Sequence, residues 1–240
     1  MTQGIIGIVG GVGPYAGLDV AKKIFDNTIA ARDQEHLPVV LASFPNQIPD
    51  RTEFLLGHAK VNPARAVVRI IRTLVETAGV TAIGIPCNTM HAPRIFDPIK
   101  KGAARLGRTV RLVHMIEETA RHIRRAYPHI KKIGVLSTTG TLRSRVYPMI
   151  WNPLGFEVLS PDATTQETCV QPAIYDAVRG IKAHANPVTR WARQKIMRRS
   201  CASAGSVTHA GCSLPIICCI MILIFSAIKS PSSLFINEAR

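Results

Sequence analysis

One apolar run, Val80-Thr81-Ala82-Ile83-Gly84-Ile85-Pro86, delivers Cys87, Asn88, Thr89 and His91 within five residues. That pattern reads as a strand ending in a polar loop, and Pro93 stands where a helix can begin. A thiol becomes a proton carrier or nucleophile only when its surroundings favour the thiolate. The His91 imidazole, the helix expected from Pro93 and a basic surrounding could each push that way. A cysteine after an apolar run is commonly a small buried hydrophobe, but three polar neighbours in the same loop favour a functional reading. In doubly wound sheets, ligands bind at the carboxyl ends of parallel strands, which is where Cys87 falls.

A second cysteine follows from an internal repeat. Ile133-Gly134-Val135-Leu136-Ser137-Thr138-Thr139-Gly140 repeats the design of Ile6-Gly7-Ile8-Val9-Gly10-Gly11-Val12-Gly13, an apolar strand entering a small-residue loop and a helix. The offset of 127 residues maps position 87 onto 214, close to Cys212 in Ala210-Gly211-Cys212-Ser213-Leu214-Pro215. Two related lobes are the economical reading. Two facing thiols would invert a carbon centre: one takes the Cα proton of an amino acid while the other returns a proton to the opposite face, with no metal or pyridoxal phosphate required. Such a site must grip the substrate carboxylate and stabilise the carbanion beside it.

The elements that would position these groups alternate in αβ fashion. Ile5 to Val9 forms a strand, Gly10-Gly11-Val12-Gly13-Pro14 a loop, and Tyr15 to about Ala31 a helix. Gly11 and Gly13 permit close backbone approach, and the helix start suits a carboxylate-sized anion. The loose dinucleotide fingerprint Gly11-x-Gly13-x-x-Ala16 lacks its acid, because Asp33 follows a helix. Pro38 to Ser43 is the next strand, ending in a stiff polar loop with Asn46 and Arg51, whose guanidinium could fork onto a carboxylate or pair with Asp50 or Glu53. Asn62 and Pro63 start a helix with the apolar face Val67, Val68, Ile70, Ile71, Leu74, Val75 and Ala78, ended by Gly79. A helix over Pro93 to Leu106, a strand over Thr109 to His114 and a basic helix over Ile116 to Tyr127 follow.

Composition narrows the classes. The chain of 240 residues is 47% hydrophobic with only 5% aromatics, which suits an aliphatic α/β protein. Met1-Thr2-Gln3-Gly4 has no basic n-region, so a cytoplasmic protein with reduced thiols is expected. Six cysteines include no Cys-x-x-Cys pair, which argues against zinc, and no metal site is expected. The net charge is +15, and twelve Lys or Arg lie between Lys100 and Arg145 against Glu117 and Glu118. Aromatic residues do not interleave with these charges before Tyr127 and no nucleic-acid motif is present, so solvated helix faces are expected, with no nucleic-acid and no membrane partner. The same field would draw an anionic small substrate.

These motifs together resemble the aspartate/glutamate racemase family, the cofactor-independent two-cysteine racemases. The residues carrying the resemblance are Gly10-Gly11-Val12-Gly13-Pro14, Asp33-Gln34-Glu35-His36, Pro45 to Thr52, Pro86-Cys87-Asn88-Thr89-Met90-His91, Met115-Ile116-Glu117-Glu118-Thr119 and Ser137-Thr138-Thr139-Gly140-Thr141, within a match from Ile5 to about Thr189. The resemblance implies two similar αβα lobes with parallel sheets and the site between them, a homodimer, no cofactor, an acidic amino acid as substrate, and Cys87 as one catalytic thiol. It implies that Arg51 grips the side-chain carboxylate, that Lys182 lines the cleft, and that Asn88, Thr89 and Thr138 to Thr141, with Thr139 among them, hold the α-carboxylate. A related isomerase or decarboxylase of dicarboxylic acids, and a non-catalytic binding module for an acidic ligand, are the alternatives. The division expected is a first lobe over 1–112, to which about 216–240 returns, and a second over 113–215.

The resemblance weakens past about Ile196. Gly211-Cys212-Ser213-Leu214 lacks the glutamate of the family pattern Gly-Cys-Thr-Glu, and Ser206-Val207-Thr208-His209 makes a poor buried strand. Leu214 to Ile228 is apolar but shorter than the ~20 residues that span a bilayer. Codons compatible with Ile228 to Ser233, read one base out of register, can encode Asp-Gln-Val-Pro-Leu-Phe, which looks like the family's closing strand. A frameshifted tail over about 197–240 is therefore expected, with Cys212 as the candidate second thiol.

Overall fold

The computed structural model describes residues 4–200 and Ile216–Cys218. The chain divides into two compact units, Met1–Glu118 and Thr119–Arg240.

In the first unit, strand β1 (Ile5–Gly10) leads into helix α1 (Pro14–Asp26), β2 (Val39–Ser43), α2 (Arg51–Leu56), α3 (Ala64–Ala78), β3 (Val80–Gly84), α4 (Pro93–Ala104), β4 (Arg111–Val113) and α5 (Met115–Ala126). The four strands form a parallel sheet in the order β2-β1-β3-β4. The chain leaves β1 to one side for β2 and to the other for β3, so the carboxyl ends of β1 and β3 flank a topological switch point, where open α/β sheets bind ligands.

Local chemistry explains these elements. Helix α3 buries Val67, Ile70, Ile71, Leu74 and Val75 in the unit's core with Ile8, Val9 and Ile83. The Asn62 side chain accepts from the Ala64 N–H at 2.9 Å, and Gly79 closes the helix in the left-handed region at φ 65°. Helix α4 packs closely on α3 through Gly102, where a Cβ would meet Val68 at 2.5 Å. Helix α1 stops at Asp26, short of Ala31, where Asn27 and Thr28 bond back to the Lys23 and Ile24 carbonyls.

In the second unit, β5 (Lys132–Leu136) is followed by α6 (Thr139–Ser144), α7 (Val146–Trp151), β6 (Glu157–Leu159), α8 (Ala163–Thr165), a π-helical turn over Gln166–Val170, α9 (Gln171–Tyr175), α10 (Arg190–Ser200) and β7 (Ile216–Cys218). Its sheet is also parallel, in the order β6-β5-β7. The repeated strands β1 and β5 therefore occupy the same kind of place, central with a parallel neighbour on either side. Ile133, Val135, Trp151, Phe156 and Tyr147 are buried there, and Leu136, Val170, Ala173, Ile174, Ile181 and Ala192 form a core cluster.

Two expectations meet a different outcome. The boundary falls inside α5, between Glu118 and Thr119, rather than at 112. Ile216–Cys218, expected with the first lobe, pairs instead with β5 of the second unit, Leu136 opposite Cys218. Residues 219–240 and the Ser206 to Leu214 segment lie outside the described residues. Among the described residues, no helix is long and apolar enough to cross a membrane.

Candidate active site

Three loops of the first unit leave the carboxyl ends of its sheet. The loop after β1 carries Gly11 and Gly13, the loop after β2 runs through Asn46 to Arg51, and the loop after β3 carries Cys87. The first two touch. Gly11, at φ 82°, lies so near the second loop that a Cβ would sit 2.8 Å from the Phe44 and Pro45 backbone nitrogens. Gly13 adopts φ 106° as α1 begins. Asn46 is exposed and Arg51 half-buried. Asp50 caps α2, its carboxylate accepting from Thr52 N–H at 2.7 Å and Glu53 N–H at 3.0 Å, so Asp50 is committed to the helix that begins with Arg51.

Cys87 is 2% exposed and extended, at φ −151° and ψ 112°. Its N–H donates to the Ile85 carbonyl at 2.8 Å. Its own carbonyl accepts twice, from the Met90 N–H at 3.1 Å and from His91 Nδ1 at 2.8 Å. A short 3₁₀ turn follows over Asn88–His91, so Asn88 and Thr89 are buried beside the thiol-bearing residue.

His91 does not take the part expected of it. Its Nε2 accepts from the Met115 N–H at 3.2 Å, while its Nδ1 faces a carbonyl, and these two partners fix a neutral ring protonated at Nδ1. Burial lowers its pKa to about 3, reinforced by His114, against the opposing pull of the Cys87 and Val113 carbonyls. It therefore supplies no positive charge to a thiolate. Phe96 stacks on the ring at 4.9 Å and His114 meets it edge-on at 4.5 Å. His114 is held below its ordinary pKa chiefly by burial, and its Nδ1 accepts from Glu117 N–H at 3.3 Å.

In the second unit, Thr138 caps α6, its hydroxyl oxygen accepting from Thr141 N–H at 3.3 Å. Thr139 is committed internally: its N–H donates to Gln171 Oε1 at 2.9 Å and its hydroxyl to Glu167 Oε1 at 3.2 Å. Gln166, 1% exposed, donates to the Ser137 carbonyl at 3.0 Å and to Thr139 Oγ1 at 3.2 Å. These three anchors were not singled out from the sequence. The available signal was a run of polar residues, Gln166, Glu167 and Gln171, in a segment with buried Cys169 and Val170. Lys182 is exposed, with Nζ 3.6 Å from the Tyr175 ring centroid. Cys212 lies outside the described residues. The structure thus brings Gly11, Gly13 and Cys87 to one sheet end, with the Asn46 and Arg51 loop, and Thr138, Thr139 and Thr141 to one loop of the other unit.

The family model for Asp/Glu/hydantoin racemases matches residues 9–204. The chain belongs to this family. Among racemases of known sequence, it is 29% identical over 163 residues to the broad specificity amino-acid racemase RacX of Bacillus subtilis (strain 168), a match covering 66% of this chain and 65% of the relative, just under two thirds of that relative's length. Among solved structures, the Picrophilus torridus aspartate racemase superposes with a TM-score of 0.66 at 23% identity, over 96% of this chain and 94% of that one. An aspartate racemase homologue from Pyrococcus horikoshii OT3 gives 0.60 at 18% identity, over 97% and 91%. These likenesses establish the racemase fold for this chain.

Proposed function

We propose that the protein is an isomerase that racemises an acidic amino acid, aspartate or glutamate, by proton transfer at Cα with Cys87 as one acid/base. The observation carrying this reading is Cys87 itself, in a chain of the racemase family, held at the carboxyl end of β3 beside the glycine loop of β1 at the switch point of the sheet. Thiolate Cys87 would take the Cα proton and become the thiol. A second acid would give a proton to the opposite face, so one proton leaves, one arrives and the configuration inverts. Cys212 is the candidate for that second acid, and the scheme needs no cofactor.

The carbanion beside the carboxylate is the costly species, and N–H donors and cations placed before the reaction lower it. Asn88, Thr89, Thr138, Thr139 and Thr141 are proposed for the α-carboxylate, with Thr139 acting through the loop it holds. Arg51 and Lys182 are proposed for the side-chain carboxylate, and the excess of positive charge favours an anionic substrate. A cytoplasmic homodimer is the assembly proposed. The test is Cα deuterium uptake from heavy water into each enantiomer of aspartate and glutamate. Cys87→Ala is expected to lower exchange at least ~100-fold with the melting temperature unchanged. Exchange that survives the substitution would remove Cys87 from the mechanism.

A further inference from the structure

We propose that His91 is a neutral positioning residue for Cys87, a two-ended tie from the Cys87 carbonyl to the first N–H of α5, and not an acid, base or charge partner of the thiol. The inference rests on the racemase reading above for its catalytic consequence. The tie itself rests on geometry.

Each end of the imidazole has a partner that admits only one role. A carbonyl can only accept, so the 2.8 Å contact to Cys87 requires Nδ1 to donate. A backbone N–H can only donate, so the 3.2 Å contact from Met115 requires Nε2 to accept. A proton added at Nε2 would break the second bond and place a charge at a position that is 1% exposed, between Phe96 and His114. The surroundings give no net rescue: His114 opposes a positive charge on His91, Lys100 opposes and Glu117 favours one on His114 alone, and burial outweighs the opposite pull of the Cys87 and Val113 carbonyls.

What the tie accomplishes follows from the rest of the loop. Cys87 has its N–H bonded to Ile85 and its carbonyl bonded to Met90 and His91, so both peptide planes flanking its Cα are fixed. The direction of its Cα–Cβ bond follows from those two planes. The Met90 bond lies within the loop and would move with it. The His91 bond joins the loop to α5, 24 residues further along the chain. Misplacing a reacting group by about 1 Å can cost ~100-fold in rate, so the bond that fixes the loop should register in kcat more than in KM.

Two measurements test this. In the wild-type protein, ¹⁵N-detected spectra of the histidine rings should show His91 with a protonated Nδ1 and a bare Nε2, unchanged from pH 8 to pH 5. The opposite tautomer, or titration near pH 6.5, overturns the proposal. In kinetics, His91→Asn keeps a donor near the Nδ1 position, His91→Gln keeps an acceptor near Nε2, and His91→Leu keeps neither. The expected order of kcat is wild type, Asn, Gln, Leu, with Asn within about tenfold of wild type and Leu at least ~100-fold down, KM little changed and the basic limb of the pH profile unmoved. An Asn variant that is folded yet as slow as Leu, or one whose pH profile shifts, assigns His91 an acid/base or charge role and overturns the proposal. Should wild type be silent toward all four amino acids, the racemase reading fails, and the tautomer alone decides whether the tie exists.

Discussion

Two strand-end loops, one in each unit, are held differently. After β3, a loop carrying a thiol is held by one neutral ring and by bonds to its own backbone. After β5, a loop carrying hydroxyls is held by three side chains from a π-turn and the helix that continues it, one of them a carboxylate. The first support fails when a proton arrives, because a protonated His91 cannot accept from Met115. The second contains no histidine and rests on four hydrogen bonds. A thiol with the role proposed for Cys87 gains from a tie with no alternative geometry, whereas a loop with the carboxylate role proposed for Thr138 to Thr141 gains from redundancy.

Acid should break this comparison most visibly. Unfolded His91 titrates near its ordinary 6.5, while the folded ring titrates at about 3. Between those values the unfolded state binds the extra proton, so stability is complete above pH 6.5 and drains as pH falls toward 3, at up to about 1.4 kcal/mol per pH unit. His114, shifted in the same direction, adds to the slope. Urea unfolding followed at pH 7, 5.5 and 4 should show this loss, and His91→Asn should flatten it. An equal slope in the variant would place the acid lability elsewhere.

Gln166→Leu should come next. It leaves the buried Ser137 carbonyl without its 3.0 Å donor, at a cost of about 1–3 kcal/mol. Substrate KM should rise more than kcat falls, since the loop it supports is the one proposed to bind carboxylate. A purely catalytic defect would set the two loops' roles in reverse. Glu167→Gln should have the smallest effect. The amide oxygen still accepts from Thr139, and residue 167 is exposed, so a change under about 1 kcal/mol is expected by thermal melting. A loss several times larger would show that the charge, and not the bond, holds the loop.

How much of this was legible in the sequence depended on whether the cause was local. Gly79 and Asn62 end and begin α3 through bonds to residues two to five positions away, so the sequence placed that helix almost to the residue. The apolar run before Cys87 announced a strand end because a buried parallel strand carries its own signature. The repeat of Ile6 to Gly13 in Ile133 to Gly140 pointed to two related units, and β1 and β5 are the central strands of two parallel sheets. The state of His91 was hidden, because its pKa is set by burial under Phe96 and His114, which come together only in the fold. The anchoring of Thr139 was hidden for a like reason, since its partners lie 28 and 32 residues downstream. The pairing of Ile216–Cys218 with β5 also escaped, because a three-residue apolar strand has no period by which to choose its sheet.

The contact between the β1 loop and the β2 loop has a consequence for how this gene can drift. Gly11 combines a left-handed backbone with main-chain atoms standing 2.8 Å from where a side chain would begin, and main chain cannot turn aside as a rotamer can. Gly57 shares the left-handed backbone, at φ 87°, but faces open space. In a saturation library the two glycines, alike in φ at 82° and 87°, should separate: asparagine survives at 57, and the column at 11 stays empty.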